Sequence, residues 1–139
     1  MRIILILALI IGLIIGAFAI SSLHKNNSIP GNSDLNWNND YDTALQEAKQ
    51  TNKPIFIDFY TEWCGACQML DQETFSNPQV MEKLNSNYVL LKVDIDRNPE
   101  LASQYQIYSI PTIVIIDSKG QIIMRQEGYI PPDQILNFI

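Results

Sequence analysis

Near the N-terminus, Ile3 to Leu23 contains no charged residue, and Ile3 to Ile20 is made only of Ile, Leu, Ala, Gly and Phe. As a helix rising about 1.5 Å per residue, such a run reaches about 30 Å, the hydrocarbon thickness of a bilayer. Residues 1–23 therefore read as a transmembrane anchor or an uncleaved signal segment. Arg2 precedes the run while His24 and Lys25 follow it. This balance leans slightly towards an N-terminus in the cytoplasm and a domain outside. Ala17-Phe18-Ala19 also fits a small-x-small cleavage site, although the run exceeds the roughly 7–15 residues of a signal h-region. Cleavage of residues 1–19 would release a secreted protein, so both readings export the rest of the chain.

The pattern then changes. His24 to Asn36 is polar, contains Pro30-Gly31, and shows no apolar period. Residues 24–36 read as a flexible linker to a folded domain over residues 37–139. Tyr41, Ala44, Leu45 and Ala48 recur at helical spacing behind Asp40, an N-cap residue type, and predict a first helix ending near Asn52. Ile55 to Tyr60 is a strand too continuously apolar for an exposed edge, interrupted only by Asp58. A helix from Cys64 fades near Ser76, and Asn77-Pro78 opens another carrying Val80, Met81 and Leu84. Tyr88 to Ile95 is the next strand, and Asn98-Pro99 repeats the cap signal for a short helix. Thr112 to Ile116 and Gln121 to Glu127, joined by Asp117-Ser118-Lys119-Gly120, predict an antiparallel hairpin. Pro131-Pro132-Asp133 starts a final helix, whose end at Ile139 suggests slight packing. The order α-β-α-α-β-α-β-β-α predicts an α/β domain, a mixed sheet covered by helices on both faces.

Charge narrows the partners. The formal net charge is −6, and Lys and Arg are scattered singly. No basic stripe exists to neutralise phosphates, which argues against a nucleic-acid partner. No Gly-x-Gly-x-x-Gly or P-loop string occurs, so no nucleotide or flavin cofactor is implied.

The chemistry concentrates in Trp63-Cys64-Gly65-Ala66-Cys67, which holds the only two cysteines of the chain. Residues i and i+3 share a helix face, so this pair can close a small disulfide and reopen it without unfolding. A helix start lowers a thiol pKa from about 8.5 towards 7 or below, making Cys64 the candidate nucleophile. Cys67, one turn on, would resolve the mixed disulfide. A structural or metal-binding pair is the rival reading. With one His in the chain, lying in the linker, a closed Cys/His zinc site cannot be built within one subunit. Asp58 is the other anomaly, since an unpaired carboxylate within an apolar strand is costly.

Several separated strings together resemble the thioredoxin superfamily over nearly all of Asn36 to Ile139. They are Asp58-Phe59-Tyr60 leading to Trp63-Cys64-Gly65-Ala66-Cys67, then Lys92-Val93-Asp94-Ile95-Asp96, Ile110-Pro111-Thr112 and Gly128. Thr74-Phe75-Ser76-Asn77-Pro78-Gln79-Val80 makes the chain most similar to the periplasmic C-terminal domains of DsbD transporters and their single-anchor relatives. The resemblance implies a thioredoxin fold with a four- to five-stranded sheet and a redox-active Cys64-Cys67 disulfide. It implies that Asp58 is buried beneath the cysteines, assisting proton transfer at the resolving thiol, and that Lys92 can pair with it. Asp71 falls where the DsbD-like domains carry an acid that tunes the thiols. Pro111 is expected to be cis, exposing the Ile110 backbone to an extended substrate, with Trp63, Gly65 and Ala66 completing the substrate-binding surface. Trp63 can alternatively be core, and Phe59, Tyr60 and Tyr105 read as core. Glu62 reads as surface.

Two departures bear on direction. Ala66 stands where the commonest reducing motif has Pro, and Ser109 where thioredoxins often have Gly. The dipeptide between the cysteines helps set the potential, which differs by roughly 150 mV between reductant and oxidant members. The expectation is an exported thiol–disulfide oxidoreductase, anchored in the membrane through residues 3–23, that reduces protein disulfides with electrons from a donor thiol protein. An oxidase or isomerase of secreted proteins, or a redox-inactive binding module, are the alternatives.

Overall fold

The computed structural model describes residues 34–139. The anchor expected over 1–23 and most of the linker lie outside the described residues, among which no helix is long and apolar enough to cross a membrane. In chain order the elements are β1 (Trp37–Asn38), α1 (Tyr41–Thr51), β2 (Ile55–Tyr60) and α2 (Gly65–Met69), which runs on as a π-helical turn (Leu70–Thr74). Then come α3 (Pro78–Asn87), β3 (Val89–Asp94), α4 (Pro99–Gln104), β4 (Thr112–Ile116), β5 (Ile122–Glu127) and α5 (Pro132–Phe138).

The five strands form one sheet in the order β1-β3-β2-β4-β5. β1 and β2 run parallel to β3, whereas β4 is antiparallel to both β2 and β5. β2 is central, as its unbroken apolar character requires. Strand side chains alternate between faces. Ile55, Ile57 and Phe59 point into one core with Ala44 and Ala48 of α1 and Ala102 and Tyr105 around α4. Phe56 points into the other core, with Leu70, Phe75, Val80, Leu84 and Ile135. By the same alternation Asp58 belongs to the Phe56 face, on which Leu70 and Phe75 of the π-helical turn and its end are packed. On β3, Lys92 follows Leu90 on that face, and the parallel register sets Asp58 directly beside Lys92. The alternation that builds the core therefore also carries a charged pair into it.

Local signals account for most element ends. Asp40 accepts the Thr43 N–H at 2.8 Å, and Asn52 stops α1 in the left-handed conformation at φ 54°. Asn77 accepts N–H groups from Gln79 and Val80 ahead of Pro78. Asn98 departs from expectation. Its side chain donates to the Asp94 carbonyl at 3.0 Å and makes no cap bond, so Pro99 alone starts α4.

Four further differences have physical causes. β1 went unpredicted because two residues leave no period to detect. Asp34 to Asn36, at the expected linker's end, are tied to the domain: Leu35 packs on the core and the Asn36 N–H reaches Asn85 Oδ1 at 3.3 Å. β4 and β5 form the predicted hairpin, but Ile115 faces Met124 while Ile116 faces Ile122. Ile123 is thus the extra residue of a bulge, which distorts an edge that would otherwise invite pairing. The last helix packs firmly, with Ile135 fully buried and Lys83 Nζ donating to the main-chain oxygens of Leu136 and Ile139 at 2.8 and 2.6 Å.

Candidate active site

The tight turn after β2 is closed by the Cys64 N–H donating to the Thr61 carbonyl at 3.3 Å. This places Cys64 at the N-cap of α2 with extended backbone angles, so its sulfur turns back over the first turn of the helix. The Cys67 N–H donates to Cys64 Sγ at 3.1 Å. Cys64 and Cys67 are joined as a disulfide with Cα atoms 5.3 Å apart, and both are buried. A helix start that already directs an N–H at this sulfur stabilises a thiolate formed there on reduction.

α2 is α-helical for one turn only. The Phe75 N–H reaches the Leu70 carbonyl at 2.9 Å, an i to i+5 bond, and this widened turn carries Asp71. The Asp71 carboxylate takes a hydrogen bond from Lys92 Nζ. The same ammonium lies 3.4 Å from Asp58 Oδ2, so one cation serves two carboxylates. Asp58 is 1% exposed, and its Oδ1 has no hydrogen-bond partner. Burial pushes its carboxyl up from 3.8 to about 6, against the pull of the Lys92 charge, while the nearby Asp71 adds to the rise. A base with this affinity exchanges a proton near neutral pH. Thr61, three residues on, is also buried with its hydroxyl unpartnered.

The Ile110–Pro111 bond is cis, as the resemblance implied. Pro111 is buried and Ile110 half-buried. The Pro111 carbonyl takes the Gly128 N–H at 2.8 Å, and Gly128 has φ +80°, a conformation that disfavours any residue with a Cβ. This contact ties the proline loop to the end of β5.

Trp63 is 72% exposed, so it is surface and not core. Its indole N–H donates to Asp96 Oδ2 at 2.8 Å, which fixes the ring from the β3–α4 loop. Glu62 is exposed, as expected, and its ion pair with Arg97 at 3.0 Å links the same two loops. Gly65 is exposed and a Cβ built there meets nothing within 4 Å; Ala66 is half-buried. Phe59 and Tyr105 are core. Tyr60 is not: it is half-buried with its ring 4.9 Å from Lys92 Nζ, because it follows Asp58 on the charged face of β2.

The sequence-predicted residues thus fall into four groups: the disulfide with Gly65 and Ala66 at a helix start, an acid–lysine–acid string, the cis-proline loop of Ile110 and Pro111, and an exposed tryptophan. Sequence reasoning missed Tyr60, Phe75 and Trp37, whose rings surround Lys92. Alternation along β2 could have found Tyr60, but nothing in the polar stretch around Trp37 signals its partner.

The family model described as a thioredoxin-like domain matches residues 41–139. Thioredoxin-like protein slr0233 of Synechocystis is 42% identical over 76 residues, covering 55% of this chain and 69% of that protein. Thiol:disulfide interchange protein DsbD of Campylobacter jejuni is 30% identical over 105 residues, 73% of this chain but only 18% of its own length. The solution structure of a thioredoxin from Thermus thermophilus has a TM-score of 0.68 at 27% identity, covering 76% of this chain and 84% of that one.

Proposed function

The chain belongs to the thioredoxin-like domain family and is a thiol–disulfide oxidoreductase, and from that premise we propose that it reduces protein disulfides outside the cytoplasm. In the proposed cycle the Cys64 thiolate attacks one sulfur of a substrate disulfide. That bond breaks, the distal substrate sulfur leaves as a thiolate, and a mixed disulfide remains. Cys67 then gives its proton to the Asp58 carboxylate and attacks Cys64 Sγ, releasing the second substrate thiolate. Two electrons have passed to the substrate, and the Cys64–Cys67 disulfide waits for a donor dithiol protein. Lys92 holds the charge of Asp58, and Asp71 modulates both. Trp63, Gly65, Ala66, Ile110 and Pro111 make the surface on which the substrate segment lies.

One observation supports the direction. From Asp58 to Thr74 the chain has four carboxylates, Asp58, Glu62, Asp71 and Glu73, and no basic residue. A pair becomes strongly oxidising when its reduced form is stabilised. Lys92 and Arg97, from β3 and the loop after it, pair with three of these acids, and the net negative charge that remains opposes a thiolate, which favours the disulfide and makes the dithiol a good electron donor. Export is supported by the charge-free run of residues 3–23. The likeness to a protein named for thiol:disulfide interchange supports the chemistry.

Equilibration of the Cys64–Cys67 pair with glutathione tests the direction. A potential between about −220 and −270 mV is expected, and a value near −120 mV would assign the chain to the oxidants instead. A Cys67→Ser chain expressed in cells should accumulate mixed disulfides with exported proteins. Capture of cytoplasmic proteins alone would overturn the location.

A further inference from the structure

We propose that Trp37 is a positioning residue of the redox site, closing an aromatic cage that pins the Lys92 ammonium beside Asp58. Three rings surround this one ammonium: the Tyr60, Trp37 and Phe75 centroids lie 4.9, 5.3 and 5.8 Å from Lys92 Nζ. All three are within the range at which a ring face attracts a cation. A lysine stem is flexible and ordinarily carries its head to water. Here the side chain is only 15% exposed, between one buried and one partly exposed carboxylate.

Each wall has a structural origin. Tyr60 follows Asp58 by two residues on β2, and Phe75 ends the π-helical turn that carries Asp71. Trp37 comes from β1, where it pairs with Leu90, two residues before Lys92 on β3. That register puts Trp37 diagonally beside Lys92 on the sheet face. Its ring is wedged in place by Phe75 at 5.3 Å and Phe56 at 6.2 Å. The charged and titratable groups facing Lys92 are Asp58 and Tyr60 from β2 and Asp71 from the π-turn. Asp34, from the segment before β1, lines the same groove.

The consequence concerns which carboxylate the cation serves. Asp71 is the more exposed partner, and a loosened ammonium would follow it towards water. The cage keeps the cation close to Asp58, where it offsets part of the cost of burying that charge. The inference rests on the proposed proton-handling role of Asp58, and not on the direction of electron flow.

The test is the carbon-13 titration of the Asp58 carboxyl, from pH 4 to 9, in the oxidised full chain. In Trp37→Leu the midpoint should rise by roughly half a pH unit, the worth of one exposed cation–π contact. Trp37→Phe should shift it less. Easier entry of water alone would move the midpoint down, so the sign separates lost cation positioning from lost cover. In a Lys92→Met background, Trp37→Leu should leave the midpoint where Lys92→Met puts it. An unchanged or lowered midpoint, or an equal rise without Lys92, overturns the proposal. Should Trp37→Leu fail to fold, Phe75→Leu carries the same prediction and the same control. A chain that titrates as expected but fails to reduce disulfides would refute the functional reading and leave the cage standing.

Discussion

Asp58→Asn should gain stability relative to wild type as pH rises from 4 to 8, because it removes the pH dependence that the buried acid imposes on the oxidised protein. Burial lifts the Asp58 carboxyl from 3.8 to about 6 in the folded chain. Below pH 4 the group is protonated in both folded and unfolded states and contributes no difference. Between pH 4 and 6 the unfolded chain releases its proton first, so the folded state binds more protons and loses stability as pH rises. The loss runs at about 1.4 kcal/mol per pH unit and levels off above pH 6 at roughly 3 kcal/mol. Asn cannot ionise, so it escapes that loss while keeping the shape. Any constant cost of a buried amide cancels when the variant is compared with wild type across pH. The assay is urea unfolding of both oxidised proteins from pH 4 to 8. With a slope of about 1–2 kcal/mol per molar for a domain of this size, the gap between midpoints should widen by about 2 M over that range. A gap independent of pH would refute the burial argument. A gap that narrows as pH rises would mean that Lys92, 3.4 Å away, outweighs desolvation and holds the carboxyl below its ordinary value.

Trp63→Ala should leave stability within about 0.5 kcal/mol, because the ring is 72% exposed, yet raise KM for protein disulfides with little change in kcat. Equal kinetics against insulin would remove Trp63 from the substrate surface. Gly128→Ala should cost about 1 kcal/mol through its φ of +80°, since an added Cβ there meets nothing within 4 Å. Thermal unfolding about 5 °C lower would register it, and an unchanged Tm would show that the loop relaxes. Lys83→Met removes two bonds to the main-chain oxygens closing α5. Hydrogen exchange over residues 132–138 should quicken about tenfold while β2 amides stay protected, and uniform exchange would contradict a local clamp.

The legible parts of the fold were those with a repeating pattern or a capping residue. Ala44 and Ala48 announce α1 by spacing, Asn77-Pro78 announces α3 by chemistry, and the run Ile55–Phe59 announces a central strand by having no polar face. β1 has neither signal, because two residues cannot show a period; its place is fixed by where Trp37 finds rings to pack on. Asn98 misled because a side chain with a cap's chemistry had a nearer carbonyl, that of Asp94, to satisfy. The bulge at Ile123 is likewise invisible, since register belongs to the pairing of two strands. At the site, the cysteines and Asp58 were legible as anomalies, a lone pair at helical spacing and a charge in an apolar run. The cage was not, because it gathers rings from β1, β2 and the π-turn around Lys92, and the resemblance pairs that lysine with Asp58 alone.

An apolar residue at position 58 would complete the core face that Phe56 begins and would remove roughly 3 kcal/mol of destabilisation at neutral pH. That is a large share of the net 5–15 kcal/mol typical of a folded domain. The surrounding structure limits the cost without removing it: Lys92 stands beside the acid in register, three rings hold the ammonium there, and Asp71 shares it. A chain evolving for stability alone would discard the acid, and Lys92 and its cage would then serve Asp71 only. Together they keep the acid chargeable at a pH where an acid so deeply buried and unpaired would stay neutral. A base poised near pH 6 on the face that the π-helical turn covers suits the one step at which the proposed cycle needs a base, the deprotonation of Cys67 before it attacks Cys64.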